Sequence, residues 1–98
     1  MGELGGRVST GGALGSTVVD GNAIAGLLHE VFGTEMTPAI GTCAACGATG
    51  PLAECVVYLR APGTVVRCRR CTGLLMVIVR VRAMNCVDLR GLAALATA

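Results

Sequence analysis

Four of the six cysteines occur as two pairs whose spacing suits metal coordination. Cys43 and Cys46 form one C-x2-C motif, Cys68 and Cys71 form a second, and twenty-one residues separate the motifs. Two thiolates three residues apart on a tight turn can bind one ion, and two such turns brought together complete a tetrahedron. The sequence therefore predicts a four-cysteine site that holds one structural Zn²⁺ per chain.

The spacing leaves two alternatives to zinc open. A rubredoxin-type iron site uses similar paired cysteines, and a redox-active dithiol uses a single C-x2-C motif. A thioredoxin-like dithiol would place one motif at a strand-to-helix junction, whereas here two motifs flank a predicted hairpin. Structural zinc is the preferred interpretation. Because four thiolates fill the coordination sphere of zinc, no position remains for water or substrate, and we expect no enzymatic activity.

The other two cysteines lie outside the motifs. Cys55 falls on the inward side of a predicted strand, where it is expected to act as a small core residue. Cys86 alternates with Asp88 and Arg90, a pattern that favours exposure. The sequence leaves the role of Cys86 open between a reactive thiol, a link between chains and no role at all.

All eight basic residues are arginines, and seven of them lie in the C-terminal half of the chain. Arg67, Arg69 and Arg70 surround the second cysteine pair, and Arg80 and Arg82 follow on a predicted strand. Guanidinium groups beside a four-thiolate zinc offset its negative formal charge, but the same groups can contact phosphates. These five arginines are therefore the candidate contacts for a partner or for nucleic acid.

The cysteine motifs lie among segments with helix and strand periodicity. Apolar residues recur at helical spacing from Ile24 to Phe32 and predict an amphipathic helix over residues 21–32. Alternating or continuous apolar runs predict antiparallel strands, with a turn over residues 61–64. Leu92 and Leu95 are expected to end the chain in a helical or irregular tail. The expected strands are Glu54–Arg60, Val65–Arg67, Leu74–Arg82 and Asn85–Arg90.

Composition limits the fold to one small domain. The chain has 98 residues; 53% are hydrophobic, but only 2% are aromatic. The core therefore buries little apolar area and needs a further stabilising element such as a bound metal. We expect an α+β fold with an N-terminal amphipathic helix and a three- to four-stranded antiparallel zinc-ribbon sheet. Residues 1–19 are predicted to be a flexible arm, and residues 20–98 a single zinc-ribbon domain with its ribbon at about 40–91.

The sequence predicts neither a membrane span nor a secretory signal. The longest apolar run, Leu74–Val79, has six residues, far fewer than the ~18 that a spanning helix needs. The first sixteen residues lack the apolar stretch of a secretory signal. We therefore expect a cytoplasmic protein with reduced cysteines and no membrane contact.

A series of short motifs occurs in one order along the chain. The motifs are Asp20-Gly21-Asn22-Ala23, Val31-Phe32-Gly33, Cys43-Ala44-Ala45-Cys46-Gly47, Gly50-Pro51-Leu52-Ala53-Glu54, Val57-Tyr58, Pro62-Gly63, Val66-Arg67-Cys68, Cys71 and Asp88-Leu89-Arg90-Gly91. Together they cover residues 20–92 and resemble a family of small zinc-ribbon proteins of unknown function from high-GC Gram-positive bacteria. The resemblance implies that the four paired cysteines are metal ligands and that the setting is the bacterial cytoplasm. Cys86 stands where such relatives often carry an aromatic residue.

Two functions from different classes fit the sequence. The first is a protein-interaction or regulatory accessory module that presents the apolar strand Leu74–Val79 or the helix Ile24–Phe32 to a protein partner or to a second copy. The mean hydropathy of +0.71 favours it, because so small a domain hides only part of its apolar surface. The alternative is a nucleic-acid-binding ribbon that uses the five arginines. A formal net charge of +2 and a shortage of aromatic residues count against that alternative.

Overall fold

The larger of two antiparallel sheets has five strands, in a computed structural model that describes residues 17–60 and 63–97. In chain order, β1 and β4 to β7 form this sheet, and their order across it is β1-β4-β5-β6-β7. Each neighbouring pair is antiparallel. The longest strand, β6, is the continuous apolar run of the sequence and lies between two other strands. The bounds are β1 Thr17–Asp20, β4 Val56–Arg60, β5 Gly63–Arg67, β6 Leu74–Val81 and β7 Met84–Asp88.

The second sheet has three strands and contains the segment around the first cysteine pair. Strand β2 (Ile40–Cys43) is central, and β3 (Thr49–Pro51) and β8 (Leu92–Ala96) pair with it on either side. The expectation of one sheet of three or four strands was therefore wrong. The sequence signal missed β8 because its alanine-rich segment has no clear period; pairing with β2 makes it a strand.

A short helix covers one side of the five-stranded sheet. A 3₁₀ turn, Gly21–Ile24, leads into α1 (Ala25–Phe32), so the predicted range 21–32 is helical throughout. Oδ1 of Asp20 accepts a hydrogen bond from the Ala23 N–H at 3.2 Å and caps the start. Gly33, with φ 76°, ends the helix in the left-handed conformation. The helix is not the N-terminal element that we expected, because β1 precedes it.

Strand β1 also shortens the predicted flexible arm. Thr17–Val19 were assigned to that arm, but they pair with β4 in a register that places Val19 opposite Val57. Residues 1–16 lie outside the described residues, as do Ala61 and Pro62 of the predicted turn. The ends of β4 and β5 still meet, with Arg60 opposite Gly63.

The core lies between α1 and the sheet side that faces it. Leu28 of the helix is 1% exposed, and Val57 at the centre of β4 is fully buried. Aliphatic, methionine and cysteine side chains make up the buried cluster, as the scarcity of aromatic residues requires. The helix therefore buries its apolar face within its own domain. In the described residues, no helix has the length and apolar character to cross a membrane.

Candidate metal centre

Two loops at the junction of the sheets carry the cysteine pairs. Cys43 is the last residue of β2, and the loop after it leads to β3. Cys68 directly follows β5, and the loop after it leads to β6. One pair is therefore held by the three-stranded sheet and the other by the five-stranded sheet. An ion bound by both pairs would connect the two sheets.

The loops have the same backbone hydrogen bonds. The Cys43 N–H donates to the Ala48 carbonyl, and the Cys68 N–H donates to the Gly73 carbonyl five residues on, at 2.9 and 2.8 Å. The fourth residue after each first cysteine donates back to the carbonyl of that cysteine. That residue has a left-handed backbone in both loops: Gly47 with φ 76° and Thr72 with φ 62°. The two loops thus form a matched pair, although only the first has the glycine that this conformation favours.

The four sulfur atoms are spaced as one tetrahedral ion requires. Sγ of Cys43 lies 3.7 Å from that of Cys71, and Sγ of Cys46 lies 3.7 Å from that of Cys68. All four sulfurs lie within 4.8 Å of one another. A tetrahedron with metal–sulfur bonds of about 2.3 Å has edges of about 3.8 Å, whereas a disulfide bond is about 2.05 Å long. The four cysteines are free, and together they could bind one metal ion.

Backbone N–H groups already favour negative charge on two of the sulfurs. The N–H groups of Cys71 and Arg70 lower the pKa of Cys68 to about 7, and the Arg70 N–H lies 3.3 Å from the sulfur. The N–H of Cys46 likewise lowers the pKa of Cys43. The Gly73 N–H also lowers the pKa of Cys71, but loss of hydration and the neighbouring thiols outweigh it and raise that pKa to about 11. A bound cation would replace the protons that the cluster otherwise shares.

The two remaining cysteines have different surroundings. Cys55 is 8% exposed and belongs to the buried cluster, in agreement with its predicted role in the core. Burial raises its pKa, and the nearby Cys68 raises it further. Cys86 is exposed on β7, opposite Val79 of β6.

Three of the candidate arginines lie beside the second cysteine pair. Arg67 donates to the Thr72 carbonyl at 3.0 Å, and its guanidinium carbon lies 5.8 Å from the centre of the Tyr58 ring. Arg69 forms an ion pair with Glu54 at 2.6 Å. The side chain of Arg70 is exposed. The partner of Arg69 was not foreseen, because no local pattern links residues fifteen positions apart.

The other two candidate arginines lie at the far end of β6. Arg67 is opposite Leu74, and Arg80 comes six residues later along the strand, about 20 Å away. Arg80 pairs with Glu30 of α1, and Arg82 lies in the turn that follows β6. The five arginines therefore form two separate groups and not one continuous basic surface.

Gly91 contacts the first cysteine loop through its backbone. A glycine carries no side chain that could mark it as a site residue in the sequence. Its carbonyl accepts a hydrogen bond from the Ala44 N–H at 2.9 Å, inside the first motif. A Cβ atom on Gly91 would lie 1.7 Å from the Leu74 carbonyl oxygen. Gly91 thus lets the start of β8 pass against the start of β6, next to both cysteine loops.

Comparison with known proteins identifies a family that covers most of the chain. Residues 15–98 match DUF6510, a family of unknown function. No curated protein and no solved structure matches the chain. The match includes all four clustered cysteines and every strand and helix described above. The chain therefore belongs to the DUF6510 family.

Proposed function

We propose that this protein is a small zinc-stabilised module that binds another protein through an uncovered sheet face, and that it is not an enzyme. It would act in the cytoplasm as an interaction or regulatory accessory protein, with its cysteines reduced. The observation that carries this proposal is the apolar surface on the side of the five-stranded sheet opposite α1. We call this surface the open face.

The open face follows from strand alternation. On β4, β5 and β6, the residues between the buried ones point away from the helix, and Tyr58, Val65 and Val77 lie side by side in register. None of the open-face residues belongs to the buried cluster or packs against it. Val18 is 58% exposed, Val81 52% and Met84 66%. The open face comprises Val18, Val56, Tyr58, Val65, Val77, Val79, Val81, Met84 and Cys86.

The size of the open face supports docking. Five strands about 4.8 Å apart, each about five residues long at about 3.3 Å per residue, give this side of the sheet an area on the order of 400 Å². Apolar patches of several hundred Å² on a soluble protein mark interaction sites. Arg67 lies over Tyr58 on this side of the sheet. The interior of the face thus favours an apolar protein surface, either of another protein or of a second copy.

The nucleic-acid alternative has less support. Arg69 and Arg80 are engaged by carboxylates, and Arg67 by a carbonyl and an aromatic ring. The two groups of arginines lie at opposite ends of β6, so a single phosphate backbone would have to cross the apolar sheet to reach both. Such a surface releases few counterions and binds nucleic acid weakly.

Replacing Val65 with lysine is expected to abolish association without unfolding the domain. Val65 is half-buried at the centre of the open face, so a charge there would need to be desolvated in any docked complex. Sedimentation velocity over a range of concentrations measures self-association. A photo-crosslinking residue at position 79 measures contact with other proteins. Circular dichroism and metal content confirm that the variant is folded.

The matched control is Ala93→Lys, which introduces the same charge at an exposed position on β8, outside the open face. It should associate and crosslink as the wild-type protein does. A second photo-crosslinking residue at position 93 gives the background level of contact. The proposal is wrong if the wild-type protein remains monomeric and the residue at position 79 crosslinks no more protein than the residue at position 93. Salt-sensitive binding of the wild-type protein to DNA or RNA, unchanged by Val65→Lys, would instead favour the nucleic-acid alternative.

The proposed metal is zinc. Four thiolates would leave no open coordination position, and an ion held between the two sheets would have a structural role, as in closed zinc sites. Tetrahedral thiolate sites bind zinc or iron, so metal analysis decides between them. Mass spectrometry of the purified protein is expected to find about one zinc per chain. A stoichiometric amount of iron, with the visible absorption of an iron–thiolate centre, would contradict the assignment.

A further inference from the structure

A cleft lies at the end of the five-stranded sheet that is remote from the cysteines. Leu27 of α1, Leu59 of β4 and Ile78 of β6 line its apolar part. Ile78 is 2% exposed and forms the floor, whereas Leu27 and Leu59 are partly buried against the core. The cleft lies on the helix side of the sheet, so it is separate from both the open face and the metal centre.

Three arginines line the same cleft: Arg60, Arg80 and Arg82. Glu30 is the nearby carboxylate, and it is already engaged, because Arg80 pairs with it and the Asn85 side-chain N–H donates to it at 2.8 Å. Among residues 17–60 and 63–97, Arg60 and Arg82 have no acidic partner. The cleft therefore combines an apolar floor with two positive charges at its edge that no carboxylate of residues 17–60 and 63–97 offsets.

Arg82 occupies a backbone position that does not favour arginine. Its φ is 58°, in the turn between β6 and β7, where glycine or asparagine would fit without strain. The left-handed conformation costs a residue with a Cβ atom roughly 1–2 kcal/mol. Strain of this kind concentrates at binding sites, where the side chain has a use that offsets the cost.

We infer that this cleft binds a small amphipathic anion, a carboxylate or phosphate group carried on an aliphatic chain. The aliphatic chain lies on Leu27, Leu59 and Ile78. The anionic group is bound by Arg60 and Arg82, whose planar guanidinium groups match carboxylate and phosphate oxygens. The inference is independent of the proposed protein docking, because none of the cleft residues belongs to the open face.

The first test is calorimetric titration of the metal-loaded full chain with decanoate and with decyl phosphate, both below the concentrations at which they form micelles. Decanol provides the chain without the charge, and acetate and inorganic phosphate provide the charge without the chain. We expect decanoate or decyl phosphate to bind at least tenfold more tightly than decanol and than the corresponding free anion, acetate or inorganic phosphate. Whichever of the two amphipathic anions binds more tightly identifies the preferred headgroup. Equal binding of decanol would overturn the inference.

The second test uses Arg82 and Thr72, the non-glycine residues with positive φ in the part of the chain that the structure describes. Arg82→Gly is expected to raise the unfolding temperature, because strain is removed, and to weaken binding at least tenfold, because a cation is lost. Thr72→Gly removes the corresponding strain in the second cysteine loop. It should raise the unfolding temperature and leave binding unchanged. Unaltered binding by Arg82→Gly would contradict the site.

A charge-matched pair of double variants excludes a general effect of net charge. Arg60→Gln/Arg82→Gln should lose binding, whereas Arg70→Gln/Arg90→Gln, which removes the same charge away from the cleft, should keep it. Equal losses in both would show non-specific attraction and overturn the site. Binding confined to phosphatidylglycerol vesicles or to a glutamate decapeptide, with no binding of the free amphiphiles, would also overturn it.

Discussion

Replacing Cys68 with serine is expected to leave the protein unfolded and free of metal. Cys68 is 5% exposed, and two backbone N–H groups point at its sulfur. Apparent zinc affinities in small domains are about 10–16 kcal/mol, comparable with or larger than the about 5–15 kcal/mol that stabilises a whole domain. A chain with one phenylalanine and one tyrosine buries too little aromatic surface to offset that loss. Circular dichroism and metal analysis of the purified variant measure both effects.

The control for this prediction is Cys86→Ser, which removes an exposed thiol on β7 outside the cluster. It should retain both the fold and the metal of the wild-type protein. A strong chelator added to the wild-type protein should reproduce the effect of Cys68→Ser. A cooperatively folded Cys68→Ser protein without metal would refute a structural role for the site.

Gly91→Ala is expected to destabilise the protein by about 3 kcal/mol or more, because the added methyl group overlaps backbone and not a movable side chain. The new Cβ would lie 1.7 Å from the Leu74 carbonyl oxygen and 2.6 Å from the Leu75 Cα. Relieving that overlap must displace β8 or the start of β6. It would also disturb the Ala44–Gly91 hydrogen bond, so metal affinity should fall as well. Denaturant unfolding and competition with a chelator measure the two quantities.

Gly26→Ala is the matched control. Gly26 lies in α1, and a Cβ atom there meets nothing within 4 Å. Alanine is the better helix former, so this variant should be more stable than the wild-type protein by about 0.5–1 kcal/mol. If Gly91→Ala unfolds at the same denaturant concentration as the wild-type protein, the close approach of β8 to β6 is not a constraint on the fold.

Local patterns in the sequence were sufficient for several elements. The spacing of apolar residues between Ile24 and Phe32 predicted the helix, and the apolar run from Leu74 predicted a strand. The pattern of the predicted strand Glu54–Arg60 placed Cys55 on the inward side, and Cys55 is buried. The two C-x2-C motifs predicted the four-cysteine cluster. These features are short-range, because periods of two or 3.6 residues and ligand pairs on one turn can be recognised without knowing the rest of the fold.

Only the tertiary structure shows the three-stranded sheet, the strand β1 at the edge of the five-stranded sheet, and the residues that surround the arginines. Thr17–Asp20 and Leu92–Ala96 become strands because partners distant in sequence provide their hydrogen bonds. Arg69 and Arg80 meet carboxylates fifteen and fifty residues away, which no local pattern reveals. Among residues 17–60 and 63–97, α1 covers one side of the five-stranded sheet, and no helix or strand covers the other side. Residue types and their spacing thus determined the four-cysteine cluster and the main elements, whereas long-range pairing determined which of the described surfaces are exposed.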